Sequence, residues 1–490
     1  MRIVRLFPLA ALAIGGCTAG PNYHIPDHAM AKAPAANAAF SSGHEKAFSQ
    51  APLPDRWWRL YDDARLDNYV QEALSANTDL RAADANLRRA NEVVKQALAG
   101  KTVQTSLTAR SFGARVGGYT QTLPLGVPYS YLLDASIAYP LDLAGGIRRG
   151  IEAARDDAEA VQAAGDQVRV TVAAAVTRSY ASACSANRNL AATQSVLDIE
   201  TRTVSSMQRL FRGGRGTSFD VTRARTAADK SAAAIPTIIA SRQAALYELA
   251  ALMGRAPADY PKEVESCTTP PMLRDPLPIG DGTALIQRRA DIRAAERQLA
   301  AATAGIGVEM AKFYPQVNIS GSAGFASRLS SFPNAASFGG LIGPTLSWIF
   351  PNRKLLHAQV AAAGATAEAA SAQFDGTVIE ALRQTETALS SYAREIERDD
   401  ALEKTRDDAR HSANQAGQLF RFGRTDVLSV LSAQSQLAEA EALLASSRAE
   451  LIDRQINVFL ALGGGWEGAP AIAVPPADMP AKGTGSPPKD

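Results

Sequence analysis

The sequence predicts an internally duplicated α+β membrane chain, in which pairs of membrane-length strands alternate with helices far longer than one globular core requires. Three observations carry that expectation. "TDLRAADANL" (Thr78 to Leu87) and "ADIRAAERQL" (Ala290 to Leu299) share Asp79/Asp291, Arg81/Arg293, Ala82/Ala294, Ala83/Ala295 and Leu87/Leu299, at an offset of 212 residues. After each copy the hydrophobic period changes from the helical 3.6 to the strand value of 2. Each strand region is followed by a proline-free run long enough for a helix of about 100 Å at 1.5 Å per residue.

Composition narrows the function classes. The 490 residues carry a net charge of +2 spread along the chain, which is no nucleic-acid footprint. Five His and three Cys form no CxxC, HExxH or related spacing, so no metal, cofactor or catalytic constellation is expected. An enzyme is therefore the weakest rival class.

The first residues read as an export signal. Arg2 and Arg5 precede the apolar run Leu6 to Ile14, and "IGGC" ends at Cys17. Residues 1–16 are expected to be a signal peptide, since the apolar core is too short to span a bilayer. Small residues before Cys17 resemble a bacterial lipobox, which makes Cys17 the acylated residue and lipid its anchor. Thr18, in place of Asp, fits sorting to the outer membrane. No later apolar stretch reaches transmembrane length, so any crossing must use strands.

The remaining elements follow in order. Residues 17–56, rich in Ala, Pro and Ser, are expected to form a lipidated leader running extended to the folded body. A first repeat over 57–262 holds a helix with a break at "SANTD", where Asn77 or Thr78 can cap a new start. Strands follow at about 102–113 and 128–140, on which Leu107, Ala109, Leu133, Ala135 and Ile137 alternate with Ser106, Thr108, Asp134 and Ser136. The long helix at about 146–211 places Ile147, Ile151, Ala154, Ala158, Val161, Gly165, Val168, Val172 and Ala175 at coiled-coil spacing. It ends at "RGGRG" (Arg212 to Gly216), and a second helix returns. After a connector at 263–283, a second repeat over 284–466 brings strands at about 314–326 and 338–350 and a helix at about 353–421. "FRFGRT" (Phe420 to Thr425) then matches "FRGGRG" (Phe211 to Gly216) at offset 209. Residues 467–490 are expected to be a disordered tail.

Four strands cannot close a barrel, because closed barrels begin at about eight, and open strand edges are untenable in lipid. Several copies must share one barrel. Polar alternates such as Gln104, Ser106, Asp134, Gln316, Asn318 and Ser320 would then line its lumen.

At these residues the chain resembles the TolC-like outer-membrane factors of tripartite efflux systems, specifically their lipoprotein branch of the NodT and OprM type. The points of contact are the lipobox at Cys17, "GPNY" from Gly20, "WWRLYDDARLDNYVQEAL" from Trp57, "NTDLRAA" from Asn77, "PIGDGTALIQRRADIRAAERQLAAA" from Pro278, "FYPQVNISGSAG" from Phe313 and "ALGGGW" from Ala461. The resemblance implies a homotrimer with a 12-stranded outer-membrane barrel, four strands per protomer. A long periplasmic α-helical barrel with an equatorial domain continues it. It also implies a Gram-negative outer-membrane location with a large periplasmic portion, and a passive exit duct served by a periplasmic adaptor and an inner-membrane transporter, often of the resistance-nodulation-division (RND) type. A type I secretion duct and a lipid-anchored periplasmic coiled-coil scaffold are the alternatives.

In such a family the adaptor meets the helix turns, which here are Arg212, Gly214 and Arg215, and Phe420, Arg421, Gly423, Arg424 and Asp426. The family's ring of Asp before the second turn is missing, with Gly417 at that place. Closure is expected instead through Arg421 or Arg424 with Asp426, or through crowding by Phe420 and Phe422; solvated turn charges are the plain alternative. Once Cys17 is acylated, Cys184 and Cys267 remain in an oxidising compartment, where they either pair and clip the connector to the long helix or stay free.

Overall fold

The computed structural model describes residues 18–113, 129–273, 275–328, 335–350 and 353–466. The expected signal peptide, the acylation site Cys17 and the tail at 467–490 lie outside the described residues. In chain order the elements are β1 (Phe48–Ser49), α1 (Ala64–Ala76), α2 (Thr78–Ala99), β2 (Gln104–Gly113), β3 (Tyr129–Leu141), α3 (Gly146–Arg212) and α4 (Ser218–Leu252). Then come β4 (Leu277–Pro278), α5 (Gly282–Arg288), α6 (Ala290–Ala311), β5 (Gln316–Arg328), β6 (Phe338–Ser347), α7 (Arg353–Arg421) and α8 (Val427–Leu462). Among the described residues no helix is long and apolar enough to cross a membrane. The chain forms two compact units, and each takes segments from both sequence repeats.

One unit comprises Met1–Ala29, Asn86–Gln162 and Ala294–Gly376. Its centre is a four-stranded antiparallel sheet in the order β2-β3-β5-β6. The register sorts side chains by face: Leu107 lies opposite Ala135, Ile137 opposite Gly321, and Gly321 opposite Ile342. The apolar face is bare, with Leu107 73% and Ile342 79% exposed. On the other face Ser106 and Ser136 share a hydrogen bond of 2.7 Å, and Ser320 and Thr345 one of 2.8 Å. Aromatic rings mark both ends, Phe325 against Phe338 at one and Trp348 stacked on Phe350 at the other. Among the described residues β2 and β6 each pair along one edge only.

The foot of this sheet holds the start of the described chain. The Ala19 N–H donates to the Ala144 carbonyl at 2.9 Å. Arg149, 3% exposed, donates to the Ala19 and Gly20 carbonyls and to Asn22 Oδ1, and pairs with Glu152. A Cβ on Gly20 would stand 2.5 Å from Gly307 Cα, so glycine there permits a backbone-to-backbone crossing. The Tyr23 hydroxyl donates to Glu296. Nearby, Arg297 bridges Asp156 and Glu159. Burial pushes the Asp156 carboxyl up to about 6; the Arg297 guanidinium opposes this, while Glu159, Glu152 and Asp157 add to it.

The second unit comprises Met30–Ala85, Ala163–Arg293 and Thr377–Asp490. Its core is aromatic and aliphatic: Trp57 stacks on Phe459 with centroids 4.6 Å apart, and Tyr61, Tyr69, Tyr180, Leu246, Leu249 and Ile456 are buried around them. Helix starts are capped as their sequence asks. Asp63 Oδ1 accepts from the Arg65 and Leu66 N–H groups, and Asn77 Oδ1 from those of Asp79 and Leu80. Arg289 is buried at the end of α8, donating to the Ala461 carbonyl at 2.6 Å and pairing with Asp291. A cation at a helix C-terminus opposes the dipole and satisfies a carbonyl that has no partner within the helix.

Two expectations change here. Residues 30–56 are not an extended tether: Phe40, Phe48 and Leu53 are buried in the aromatic core, and β1 pairs in parallel with β4. Single apolar residues among Ala, Pro and Ser carry no period, so the pattern was invisible, yet each full burial is worth about 1.5–3 kcal/mol. The single-seam picture of α3 is also too narrow. Ala163, Val170, Ala173, Val176, Tyr180 and Ala183 are buried as well as the seam residues Ala158 and Val172, so this stretch is enclosed on several sides.

Cys184, on α3, is joined to Cys267 of the connector, Sγ to Sγ 1.98 Å, with both residues buried. Beside them Asn187 Nδ2 donates to the Val264 and Cys267 carbonyls. The bond closes a separation of 83 residues. Replacing both cysteines by Ala is expected to cost about 4.5 kcal/mol by the loop-closure relation, read as a lower thermal midpoint, and non-reducing peptide mapping should recover the linked pair.

Asp156 supplies a second test. Its raised value means that its contribution to stability is full below its unfolded value of about 4 and is lost as pH rises through about 6. Asp156→Asn should therefore raise the thermal midpoint near neutral pH and flatten its change over this window; an unaltered pH profile would refute the assignment.

Candidate functional site at the paired helix turns

The two helix hairpins of the second unit turn back through the same backbone, 209 residues apart. At the first, the Gly214 N–H donates to the Phe211 carbonyl and the Arg215 N–H to that of Leu210; at the second, Gly423 donates to Phe420 and Arg424 to Leu419. Gly214 and Gly423 have φ of 71° and 69°, the left-handed conformation in which a side chain is strained. One residue type at each turn is thus dictated by geometry.

The returning helices begin with matched caps in which the residue types are exchanged. At α4 the Thr217 hydroxyl accepts from the Asp220 N–H, and the Asp220 carboxylate accepts from the Thr217 N–H. At α8 the cap is Asp426, which accepts from the Ser429 N–H and hydroxyl, both at 2.7 Å. The Ser429 hydroxyl and N–H hold the Asp426 carboxyl below its ordinary value. Arg212 and Arg421 each reach back one turn, to the Gln208 and Gly417 carbonyls.

The turns meet through a small apolar cluster. Met207, Ala224 and Leu431 are buried there, with Val204, Leu210, Val221, Phe420 and Val427 packed against them. Thr203 and Gln434 exchange hydrogen bonds above it. Phe420 is therefore spent on joining the hairpins, whereas Phe422 is 80% exposed. Among the described residues Asp426 makes no ion pair with Arg421 or Arg424 within the chain, because its carboxylate caps α8. A Cβ on Gly417 would meet open space.

The structure thus brings Arg212, Gly214, Arg215, Phe420, Arg421, Gly423, Arg424 and Asp426 to one end of the unit, and leaves Cys184 and Cys267 elsewhere in its core. Thr217, Asp220 and Ser429 went unremarked in the sequence. Their signal was available as T-x-x-D at 217–220 and D-x-x-S at 426–429, spacings at which cap and third helical residue answer each other.

A sheet with a bare apolar face and aromatic ends, leading along the chain into duplicated helix hairpins, is the make-up of an outer-membrane channel subunit. The chain belongs to the outer membrane efflux protein family, whose model matches residues 69–255 and 283–464, one segment in each repeat. It is 27% identical to nodulation protein T of Rhizobium leguminosarum bv. trifolii over 94% of this chain and 97% of that one. It is 26% identical to the solvent efflux pump outer membrane protein SrpC of Pseudomonas putida, over 95% and 99%. Among solved structures the outer-membrane channel OprN matches with a TM-score of 0.82 and 31% identity, over 92% of this chain and 100% of that one. The protein is thus an outer-membrane efflux channel of a Gram-negative bacterium with a TolC-like fold.

Removing the Thr217 cap by Thr217→Ala should cost about 1 kcal/mol, seen as faster amide exchange in the first turn of α4 with α8 unaffected. The Asp426 cap is present above the ordinary carboxylate value and is lost as pH falls through its lowered one. Protection of the first turn of α8 against amide exchange, taken relative to the intrinsic rate, should fall on acidification below about pH 4, and Asp426→Ala should lack that protection at every pH.

Proposed function

We propose that three copies of this chain build one passive exit duct of a tripartite efflux pump, with a 12-stranded barrel of four strands per protomer in the outer membrane. The observation that carries this is the pair of edges, on β2 and β6, left open among the described residues of a sheet whose apolar face is bare. In lipid each unpaired backbone group costs several kcal/mol, and closure by like sheets satisfies every one. The polar face with Ser106, Ser136, Ser320 and Thr345 then lines the lumen. Acylated Cys17 adds a lipid anchor.

On this reading the protein does no chemistry. A periplasmic adaptor meets the turn pair at Arg212–Arg215 and Phe420–Asp426, and an RND-type inner-membrane transporter supplies the energy. The name of the relative SrpC, a solvent efflux pump outer membrane protein, favours small toxic compounds as cargo over a secreted protein. The bare apolar sheet face argues against a periplasmic scaffold.

Ile342→Arg puts a charge on the lipid face and should cost about 2–4 kcal/mol near the midplane, abolishing outer-membrane insertion and restoring drug susceptibility to the level of a deletion strain. Ser106→Arg, on the other face, should insert and assemble normally. Equal fractionation of both variants with wild type would sink the barrel assignment.

A further inference from the structure

The turn pair carries charge that the chain itself does not neutralise. From Arg209 to Arg223 and from Leu419 to Ser429 there are six arginines, no lysine and two carboxylates, Asp220 and Asp426. Both carboxylates are committed as helix caps. Four of the six have other partners: Arg209 donates to the Ser206 hydroxyl, Arg212 and Arg421 to backbone carbonyls, and Arg223 lies over the Phe219 ring at 5.4 Å. Among the described residues none of the six forms a close salt bridge with a carboxylate of this chain, and only Arg223 acts on one, Asp220, through its charge.

Bare apolar surface lies between them. Phe422 is 80% exposed and Phe219 64%, with Phe211 and Leu419 also exposed. A merely solvated end would carry lysine and hide its rings. Guanidinium groups beside exposed aromatic rings, with lysine absent, are instead the composition of a protein-binding surface and of its strongest contacts. Arginine matches a carboxylate with two parallel hydrogen bonds, which lysine cannot do.

We infer that the turn pair is a cationic and aromatic docking face for an acidic partner: a surface of the periplasmic adaptor that presents Asp or Glu to Arg421 and Arg424 and an apolar residue to Phe422. The inference rests on the reading that the adaptor meets this end of the duct, and adds the chemistry by which it is recognised. Opposite charge also raises the rate of encounter, so docking weakens as ionic strength rises.

The test uses the full-length protein in cells carrying its own pump. A photo-crosslinking residue at Phe422 should capture the adaptor through a peptide containing Asp or Glu. Arg421→Glu with Arg424→Glu, at wild-type oligomer level, should lower resistance to pumped compounds at least eightfold, while Lys at both positions keeps more resistance than Glu. Reversing the captured acidic residues to Arg should restore function to the Glu variant alone. If the Glu pair fails to accumulate, Arg421→Gln with Arg424→Gln takes its place, with at least a fourfold loss expected. Capture of the adaptor through a peptide without acidic residues, or full resistance in the Glu variant, overturns the acidic partner and leaves the duct reading standing. Capture of only another copy of this chain also overturns it. A crosslinker at Phe422 that never meets the adaptor, while one elsewhere on the chain does, defeats the reading beneath it.

Discussion

The backbone left unpaired, among the described residues, on the two outer edges of the four-stranded sheet is the constraint on which the rest of the architecture depends. In water an edge strand is a liability that charge or a bulge can blunt; in hydrocarbon it has no solvent partner at all. With β2 at one edge and β6 at the other, each copy presents what another copy lacks. The bare apolar face and the hydroxyl-bonded polar face then acquire distinct solvents without any change in fold. Oligomerisation belongs to the secondary structure itself.

Duplication makes that arrangement economical. Each repeat supplies one strand pair and one helix hairpin, yet the compact units cut across the repeats, so neither half has a core of its own. The second unit shows why. Trp57 of the first half stacks on Phe459 of the second, and Arg289 closes the end of α8. The two turns keep the same backbone, while their caps have exchanged residue types and their outward side chains have drifted from Gly213 to Phe422. Geometry has been held where hydrogen bonds demand it and released where the side chain points away from the fold.

What could be read in the sequence follows the same line. Strands, long helices, turns and repeat order were legible because period and glycine placement are local signals. The sheet's two faces were legible too, since alternation on β2 and β3 survives intact in the register. The packing of residues 30–56 was not, because Phe40, Phe48 and Leu53 gain their meaning only from partners far along the chain. The same holds for Arg149 and Arg289, which look like surface charge in sequence but are buried against carbonyls. At the turns, Arg421 and Arg424 invited pairing with Asp426 by proximity, and local capping took that carboxylate first.

The clamp at the sheet foot has a consequence in time. Gly20 crosses Gly307, and β1 at Phe48–Ser49 waits for β4 at Leu277–Pro278, so the earliest residues of the chain dock onto some of its later ones. Contacts of such separation form only after the intervening chain has ordered, because closing the loop beforehand carries entropy without reward. Residues 19–53 are made before the segments on which they dock and settle late. During that interval Phe40, Phe48 and Leu53 are uncovered, and the nascent subunit exposes the surface that its own beginning will later seal.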